Sequence, residues 1–521
     1  MNNWIDRNGK YTLTDSATGF AISFAGMAFG DADLEKMAPL FDRVRREMPR
    51  LEAGAIKNPD ENRKVTHFTD RKNYAGSALF NEVEAFAEKV RTGEITGSTG
   101  KKFTAVVING IGGSALGPQL MQFAVNGPYW NELSDARRNG YLKIYFLDNT
   151  DSAEFADLLE VMDLETTLHL VISKSGGTQE TKNNMIAMEK TYQAAGLDFA
   201  RYAVAITMSG SQLDKYARSN NWLNVFEMAE SIGGRTSETS IVGHVPAALT
   251  GVDFAAFLSG ACAMDEWTRC PELAGNPAMM LSALWYIAGE GKGNRNMVIV
   301  PYSDRLVLLS RYLQQLVMES LGKELDLDGK TVHQGLNVFG NKGGTDAHAF
   351  IQQLNDGRDD FFATFIEVLK DAAKLEINDG VAMGDYLHGF MEGLSSALRS
   401  KGRQIITIRV PELNAFVLGQ LIALYERAVA MYAEYININA FHQPGVQAYK
   451  LAATGILKLA SDLKAKLAAN APVKGTAQEL AQQFGMSENA VEIGNLLDKA
   501  ALNCCCVERE LVSGTWVYSV K

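Results

Sequence analysis

The chain has 521 residues, of which 46% are hydrophobic and 21% are charged, and its formal net charge is −11 at pH 7. This composition is typical of an ordered globular protein, and the length predicts two domains with smaller additions. The acidic charge argues against general nucleic-acid binding, so an anionic ligand would need a locally positive site.

The N-terminus and the apolar segments predict a soluble, cytoplasmic protein with no membrane partner. The opening stretch MNNWIDRNGKYTLTDS has early charges and lacks the apolar core that a secretory signal requires. The best candidate for a membrane span, FVLGQLIALYERAVAMY, is interrupted by Glu426 and Arg427.

The five cysteines predict neither a disulfide framework nor a metal site. Cys504, Cys505 and Cys506 are adjacent, so their side chains diverge in a helix or a strand and do not easily meet on one ion. We interpret them as packed or incidental thiols. Because no His/Cys or His/carboxylate cluster has ligand spacing, we predict no metal.

The first 98 residues are polar and rich in charge, and they predict a helical N-terminal region. In SALFNEVEAFAEKVRTG, the apolar residues Leu79, Val83, Phe86 and Val90 recur at helical spacing.

Short β-branched runs that alternate with helical segments predict an α/β fold with two doubly wound, mostly parallel sheets. The first predicted domain, residues 99–270, contains FTAVVING, YLKIYFLDNT, LHLVISKS and YAVAITMSGS. The second, residues 271–470, contains NMVIVPYSD and RQIITIRVPE.

The tail, residues 471–521, has the pattern of a winged helix, with two short helices and a β-hairpin that turns at Ser513 and Gly514. Near its second helix the charged residues are Glu488, Glu492, Asp498 and a single lysine, Lys499. That balance is unsuited to phosphate tracking, so we predict a structural or docking role and no nucleic-acid partner.

Two glycine-rich segments follow predicted strands, where backbone N–H groups and a helix N-terminus favour an anion. In ISKSGGTQET, the hydroxyls of Ser173, Ser175 and Thr178 suit a phosphate monoester, and Lys174 adds positive charge. The alternative is an ordinary helix start that Thr178 caps.

The second glycine-rich segment, NGIGGSALG, fits a dinucleotide pattern only superficially. The acidic residue that such a site needs is missing at the expected distance, since Asp148 lies too far along the chain. Gly113 and Ser114 instead predict a second edge of a compact phosphate or sugar pocket.

Three downstream motifs contain residues suited to acid–base chemistry. Gln315 and Glu319 are four residues apart on a predicted helix, where a carboxylate can move a proton while an amide holds a hydroxyl. Arg235 follows two glycines and can stabilise an oxyanion, and His348 follows Gly343 and Gly344 at a predicted helix start. The alternative for Gln315 and Glu319 is a solvated surface pair. Arg235 could instead form a structural ion pair, and His348 could be an ordinary histidine at a helix start.

The segment FHQPGVQAYKLAATGILKLA predicts a helix that begins at Pro444. Gln443 immediately precedes this helix, and Lys450 lies about two turns after its start. The alternative interpretation of Lys450 is an ordinary surface lysine.

The order of six segments resembles the glucose-6-phosphate isomerase family, which consists of aldose–ketose isomerases built from two sugar-isomerase domains. The likeness extends from about residue 100 to 455 through GIGGSALGP, SKSGGTQET, GGRTS, MESLGKE, GGTDAHAF and FHQPGVQAYK. Glu238 differs from the family pattern, which commonly has an apolar residue at this position.

The resemblance implies conversion between glucose 6-phosphate and fructose 6-phosphate through a cis-enediol, with no cofactor. It implies Glu319 as the base, Arg235 as the group that stabilises negative charge, and His348 and Lys450 as groups that assist ring opening. The substrate contacts that it implies are Gly113, Ser114, Ser173, Lys174, Ser175, Thr178, Gln315 and Gln443. It also implies a homodimer in which the histidine enters the partner's site.

Two alternatives remain open at this point. One is an isomerase that also accepts mannose 6-phosphate, because selectivity depends on the shape of the pocket. The other is a sugar-phosphate sensor with a DNA-binding tail, which would need the phosphate loops but not Glu319, His348 and Lys450.

Overall fold

A computed structural model of the protein describes residues 2–521, with side chains for residues 4–446 and 448–521. The chain forms two compact units: the first ends at His442 and the second spans Gln443–Lys521. The predicted domain boundaries at 98/99, 270/271 and 470/471 stay predictions.

The N-terminal region is mostly helical, as predicted, but it also contributes strands. Its elements are α1 (Asn2–Lys10), β1 (Thr12–Thr14), β2 (Ala21–Ser23), α2 (Asp31–Lys36), α3 (Ala38–Glu52), β3 (Ile56–Asn58), β4 (Arg63–Lys64), α4 (His67–Tyr74) and α5 (Ala78–Thr92). Phe20, Ile22 and Phe24 alternate along the chain and are fully buried. This two-residue period is that of a strand, so a purely helical interpretation was wrong for this segment.

The first α/β domain contains the predicted parallel sheet. Its elements are β5 (Ala105–Asn109), α6 (Gly113–Val125), β6 (Lys143–Leu147), α7 (Ser152–Val161), β7 (Thr167–Ile172), α8 (Gln179–Ala194), β8 (Ala203–Thr207), α9 (Gln212–Ser219), β9 (Asn224–Glu227), α10 (Ile241–Thr250) and α11 (Phe254–Trp267). The strand order is β6-β5-β7-β8-β9, and every neighbouring pair is parallel. The four predicted strands are confirmed, and β9 is an additional short edge strand.

The second α/β domain has a mixed sheet. Its elements are α12 (Pro277–Ala288), β10 (Asn296–Tyr302), α13 (Leu309–Leu313), β11 (Lys323–Leu325), β12 (Thr331–Gln334), β13 (Val338–Phe339), α14 (Ile351–Asp356), β14 (Phe361–Val368), β15 (Glu376–Asn378), β16 (Val381–Ala382), α15 (Met383–Ser400), β17 (Gln404–Val410) and α16 (Ala415–Tyr435). The strand order is β1-β2-β17-β14-β10-β13, parallel from β17 to β13, while β2 runs antiparallel to β17. The two sheets confirm the predicted α/β class.

The long helix α16 lies in the core of the first unit and packs against α3, α11 and α12. Within the described part of the chain, it is the helix whose length and apolar composition would suffice to cross a membrane, and 94% of that stretch is buried inside the structure. Two of its charged residues are also buried: Glu426 pairs with Arg71, and Arg427 pairs with Asp265.

The second unit has the predicted winged-helix outline. Its elements are α17 (Pro444–Asn470), β18 (Val473–Thr476), α18 (Ala477–Gln483), α19 (Ala490–Asn503), β19 (Val507–Val512) and β20 (Thr515–Val520). The strands β19 and β20 form an antiparallel hairpin, and Ser513 and Gly514 at its turn both have positive φ. Leu463 and Leu467 of α17 join the apolar core of this unit, which groups α17 with the tail.

The cysteine-rich segment differs from the prediction. Cys504 and Cys506 form a disulfide, and Cys505 is an exposed free thiol. Cys504 has an extended backbone, in which residues i and i+2 face the same side. The prediction of three incidental thiols was therefore wrong for this pair.

Candidate active site

The loop after β7 holds its hydroxyl groups in a small network. Ser173 Oγ donates to Thr178 Oγ1 at 3.2 Å and accepts from the Gly176 N–H at 3.1 Å, while Ser175 Oγ accepts from the Gly177 N–H at 3.1 Å. Thr178 is the N-cap residue of α8, but its side chain makes no capping hydrogen bond. The hydroxyl groups therefore shape the loop. The alternative in which the Thr178 side chain caps α8 was wrong.

Gly176 is needed for the curl of this loop. Its φ is +70°, and a Cβ added there would lie 2.2 Å from the Leu213 backbone nitrogen. A residue with a side chain would be strained in this conformation and would also collide with the start of α9. The loop can therefore approach α9 only with glycine at this position.

Lys174 turns away from solvent and binds backbone carbonyls. Its Nζ donates to the carbonyl oxygens of Glu230 at 2.6 Å and Ile232 at 2.8 Å. Burial, followed by the nearby Arg63 charge, lowers the pKa of Lys174 to about 8. The ammonium thus ties the hydroxyl-rich loop to the segment that precedes Arg235.

A cavity of about 420 Å³ opens beside the hydroxyl-rich loop. Ser173, Gly176 and Thr178 line one side, and the first turns of α8 and α9 line the others. Since this volume is within the range of small-molecule pockets, the loop borders space in which a ligand can reach it.

The other glycine-rich loop lies at the same edge of the first sheet, because β5 and β7 are parallel neighbours. Gly113 begins α6, and a Cβ added there would lie 1.8 Å from the Gly234 carbonyl oxygen. A Cβ added to Gly112 would lie 3.0 Å from Gln315 Nε2. Ser114 is partly exposed next to this contact. The loop is therefore packed against both the Arg235 turn and Gln315.

Gln315 and Glu319 lie in a π-helical segment, Gln314–Glu319, that continues from α13. The predicted helix of Gln315 and Glu319 is therefore present but is not α-helical throughout: the chain passes through the short helix α13 and the π segment before it enters β11. Both side chains are partly exposed. Single π turns inside helices are frequent at functional sites, because the extra residue changes which side chains face the same way.

Arg235 is held next to Glu319 by an ion pair and several hydrogen bonds. Its Nε lies 3.3 Å from Glu319 Oε2, and its Nη1 donates to Ser320 Oγ at 3.1 Å and to the Ala440 carbonyl at 2.9 Å. Its Nη2 donates to the His442 carbonyl at 3.3 Å. Burial lowers the pKa of Arg235, although the Glu319 charge opposes this shift. The guanidinium is thus a fixed positive group beside a carboxylate.

Two basic residues without a predicted role also support this cluster. Lys323 Nζ donates to the carbonyl oxygens of Glu319 at 2.6 Å and Ser320 at 2.8 Å. Arg63, from the N-terminal region, donates to the carbonyl oxygens of Ser231 at 3.0 Å and Phe441 at 3.2 Å. Lys323 belongs to the MESLGKE segment, so the sequence contained this signal, whereas Arg63 lies far from every motif.

The buried amine of Lys323 gives a pH prediction. Burial, and then the Arg235 charge, lowers its pKa from 10.5 to about 7. Between these values the unfolded chain keeps the proton that the folded state has released, so the free energy of unfolding should rise with pH. Urea unfolding near pH 7 and pH 9 should show this rise in the wild type and a smaller rise in Lys323→Met. Equal rises in the two proteins would contradict the buried, neutral amine.

The remaining predicted residues lie in two separate places. His348 ends a 3-10 turn, Thr345–His348, and its side chain is exposed. The expected α-helix begins only at Ile351, so His348 precedes the helix rather than lying in its first turn. Gln443 and Lys450 belong to the second unit, where Gln443 is the N-cap residue of α17 and Lys450 is exposed on that helix.

Comparison with known proteins identifies relatives along nearly the whole chain. A sequence model of the family described as phosphoglucose isomerase matches residues 34–474. A glucose-6-phosphate isomerase from Trichormus variabilis is 48% identical over 495 residues, covering 92% of this chain and 91% of the relative. One from Geobacter sulfurreducens is 46% identical over 511 residues, covering 95% and 94%. The crystal structure of a glucose-6-phosphate isomerase from Chlamydia trachomatis superposes with a TM-score of 0.77 at 29% identity, covering 88% of this chain and 91% of that chain.

Proposed function

The chain belongs to the phosphoglucose isomerase family, and we propose that it interconverts glucose 6-phosphate and fructose 6-phosphate through a cis-enediol at the site described above. The observation that carries this proposal is the 3.3 Å pairing of the Glu319 carboxylate with the fixed Arg235 guanidinium. The glycine-rich loop at Gly113 packs against the Arg235 turn, and the hydroxyl-rich loop follows the neighbouring parallel strand; together they supply the place for a phosphorylated sugar.

The substrate phosphate binds at the loop after β7. Ser173, Ser175 and Thr178 provide hydroxyl groups, and the N-terminus of α8 adds a positive dipole. Lys174 contributes charge and holds the loop by its carbonyl contacts. Gly113 and Ser114 close the opposite edge. Anchoring the remote phosphate orients the reacting carbons, which is a large source of rate enhancement.

Ring opening precedes the proton transfer, since the cyclic sugar has no free carbonyl. His348 and Lys450 exchange protons with the ring oxygen and the anomeric hydroxyl, as the family resemblance implies for these two positions. Gln315 and Gln443 hold sugar hydroxyls. The product of this step is the open-chain aldehyde.

Glu319 then moves one proton between neighbouring carbons. Its carboxylate removes the proton at C2, and the electron pair of the broken bond forms the C1–C2 double bond as O1 becomes negative. Arg235 stabilises this enediolate. The O2 hydroxyl loses its proton as O1 gains one, and Glu319 returns its proton to C1, which gives the ketose.

The active unit is a homodimer in which each subunit supplies His348 to its partner's site. The exposed position of His348 on the turn Thr345–His348 supports this arrangement, because an exposed imidazole is available to a second chain. The expected location of the dimer is the cytoplasm, where its substrate is metabolised.

A coupled assay on purified protein tests the reaction. Turnover of fructose 6-phosphate to glucose 6-phosphate, measured by reduction of a nicotinamide in a second enzyme's reaction, should be readily detected, and its absence would refute the proposal. The same assay with mannose 6-phosphate decides the dual-specificity alternative. A DNA-binding sensor is not favoured, because curated relatives of full length are isomerases.

The phosphate loop gives a separate prediction. The double change Ser175→Ala and Thr178→Ala removes two hydroxyl groups from the hydroxyl-rich loop that binds the phosphate. KM for fructose 6-phosphate should therefore rise about tenfold or more while kcat changes less. Steady-state kinetics and competition by inorganic phosphate measure this effect.

Thr191→Ala is the matched control, because the Thr191 hydroxyl binds the Ala187 carbonyl on the same helix, α8. That variant should keep the wild-type KM. An unchanged KM in the double variant would rule out the loop as the phosphate site.

A further inference from the structure

Glu238 occupies a buried junction between the elements that carry the candidate active site. It follows the turn Gly234–Thr236, which contains Arg235, and is only 1% exposed. Tyr312 Oη donates to Glu238 Oε1 at 2.5 Å. Because Tyr312 lies in α13, which leads directly into the π segment of Gln315 and Glu319, this bond joins the two halves of the site.

The backbone of a third element touches the same residue. A Cβ added to Gly117 of α6 would lie 2.4 Å from the Glu238 Cβ, and α6 is the helix that begins at Gly113. Glu238 therefore contacts the helix of the glycine-rich loop, follows the Arg235 turn and binds the helix that leads to Glu319. A shift of its side chain would change the relative positions of all three elements, since packed interiors transmit small displacements.

The other carboxyl oxygen of Glu238 faces a second buried acid. Among the described residues, Glu238 Oε2 and Glu426 Oε1 are both buried and receive no N–H or O–H donor. Burial, and then the charge of Glu426, raises the pKa of Glu238 well above its usual range. Glu426 in turn pairs with Arg71 at 2.6 Å. A proton on Glu238 lets it donate to the Glu426 carboxylate, which satisfies both oxygen atoms.

We propose that Glu238 is a positioning residue for the isomerase reaction, which fixes the Arg235 turn against the helix of Gln315 and Glu319 through its hydrogen bond from Tyr312. This role rests on the proposed isomerase function. Glu238 touches neither the substrate nor the reacting atoms, so it acts through Arg235 and Glu319. Its loss should therefore reduce the rate of the chemical step more than the binding of substrate.

Four variants test this role in the full-length protein. Glu238→Leu should lower kcat about tenfold with KM changed less than about twofold, and Tyr312→Phe should lower kcat by a similar factor. Glu238→Gln should keep kcat within about twofold, because the amide oxygen still accepts from Tyr312 and the amide N–H still reaches Glu426. The double variant Glu238→Leu/Tyr312→Phe should be no slower than the slower single variant, since both changes break the same bond.

Tyr192→Phe separates positioning from stability. Its buried hydroxyl donates to the Leu164 carbonyl at 2.8 Å in the core around the first sheet, so its loss should lower the melting temperature but leave kcat unchanged. If Glu238→Leu fails to fold, the comparison of Tyr312→Phe with Tyr192→Phe and Glu238→Gln still decides the question, because each of these changes is a minimal one.

The outcomes distinguish the two levels of inference. An active wild type whose Tyr312→Phe and Glu238→Leu variants keep normal kcat would overturn the positioning role alone. Additive losses in the double variant, or a Glu238→Gln variant as slow as Glu238→Leu, would overturn it as well. A wild type without isomerase turnover would refute the proposed function and this role with it.

Discussion

Replacement of Glu319 by glutamine is expected to lower kcat by about 10³-fold or more, while KM for fructose 6-phosphate stays within about threefold of the wild type. The amide has the size of the carboxylate and keeps a polar contact with Arg235, but it cannot accept the proton from C1 of fructose 6-phosphate or from C2 of glucose 6-phosphate. Steady-state kinetics give both constants. Exchange of the C2 proton of glucose 6-phosphate with deuterated water, followed by NMR, should be lost together with turnover.

Glu324→Gln is the matched control for this experiment. Glu324 is an exposed residue on β11, five positions after Glu319, and its replacement should leave kcat within about twofold of the wild type. A Glu319→Gln enzyme with near-normal turnover, or one that still exchanges the C2 proton, would show that another group is the base.

A mixed dimer of two inactive variants is expected to regain activity. When one subunit carries Glu319→Gln and the other carries His348→Ala, one of the two shared sites combines the intact Glu319 with the intact His348. Such a dimer, purified through a different affinity tag on each subunit, should have about half the turnover of the wild-type dimer. Each homodimer should have less than a few per cent of that turnover, because both of its sites lack a group.

The reverse arrangement provides the control. A dimer of one wild-type subunit and one subunit carrying both changes should be nearly inactive, because each site then lacks one of the two groups. If His348 instead serves the site of its own chain, the opposite results are expected. The dimer of a wild-type and a doubly changed subunit then keeps half of the turnover, and the dimer of Glu319→Gln with His348→Ala has none. The two mixed dimers therefore decide which chain supplies the histidine.

Much of the fold could be predicted from the sequence because its strands are buried on both faces. The runs that became β5, β7, β8 and β10 are almost continuously apolar, and their residues are buried along nearly their whole length. Short strands gave weaker signals. In β2 the signal consisted of a three-residue alternation, and its pairing with β17 joins segments nearly 400 residues apart, which local periodicity does not report.

The site was predictable to the extent that chemistry lies in local motifs. The two glycine-rich loops follow adjacent parallel strands, and this topology brings Gly113 close to the hydroxyl-rich loop. By contrast, Arg63 and Lys323 support the site by donating hydrogen bonds to backbone carbonyl oxygens, and such contacts have no sequence signature. The π segment of Glu319 was also not predicted, because six residues are too few for their apolar pattern to be separated from that of the neighbouring α-helix.

The role of Glu238 could not be predicted from its motif. From sequence it was a departure from the family pattern next to Arg235, with no partner in view. Its partners Tyr312 and Glu426 lie 74 and 188 positions further along the chain, and only the packing of α13 and α16 brings them to it. Buried polar groups of this kind are understood only through the residues that satisfy them.

A crystal structure with a bound phosphorylated sugar acid that mimics the enediolate tests the convergence of these segments most directly. We expect its phosphate against Ser173, Ser175 and Thr178, its acid group between Glu319 and Arg235, and the imidazole of His348 from a second subunit near the sugar. A ligand whose phosphate is bound elsewhere, or whose acid group lies away from Glu319, would contradict the proposed active site.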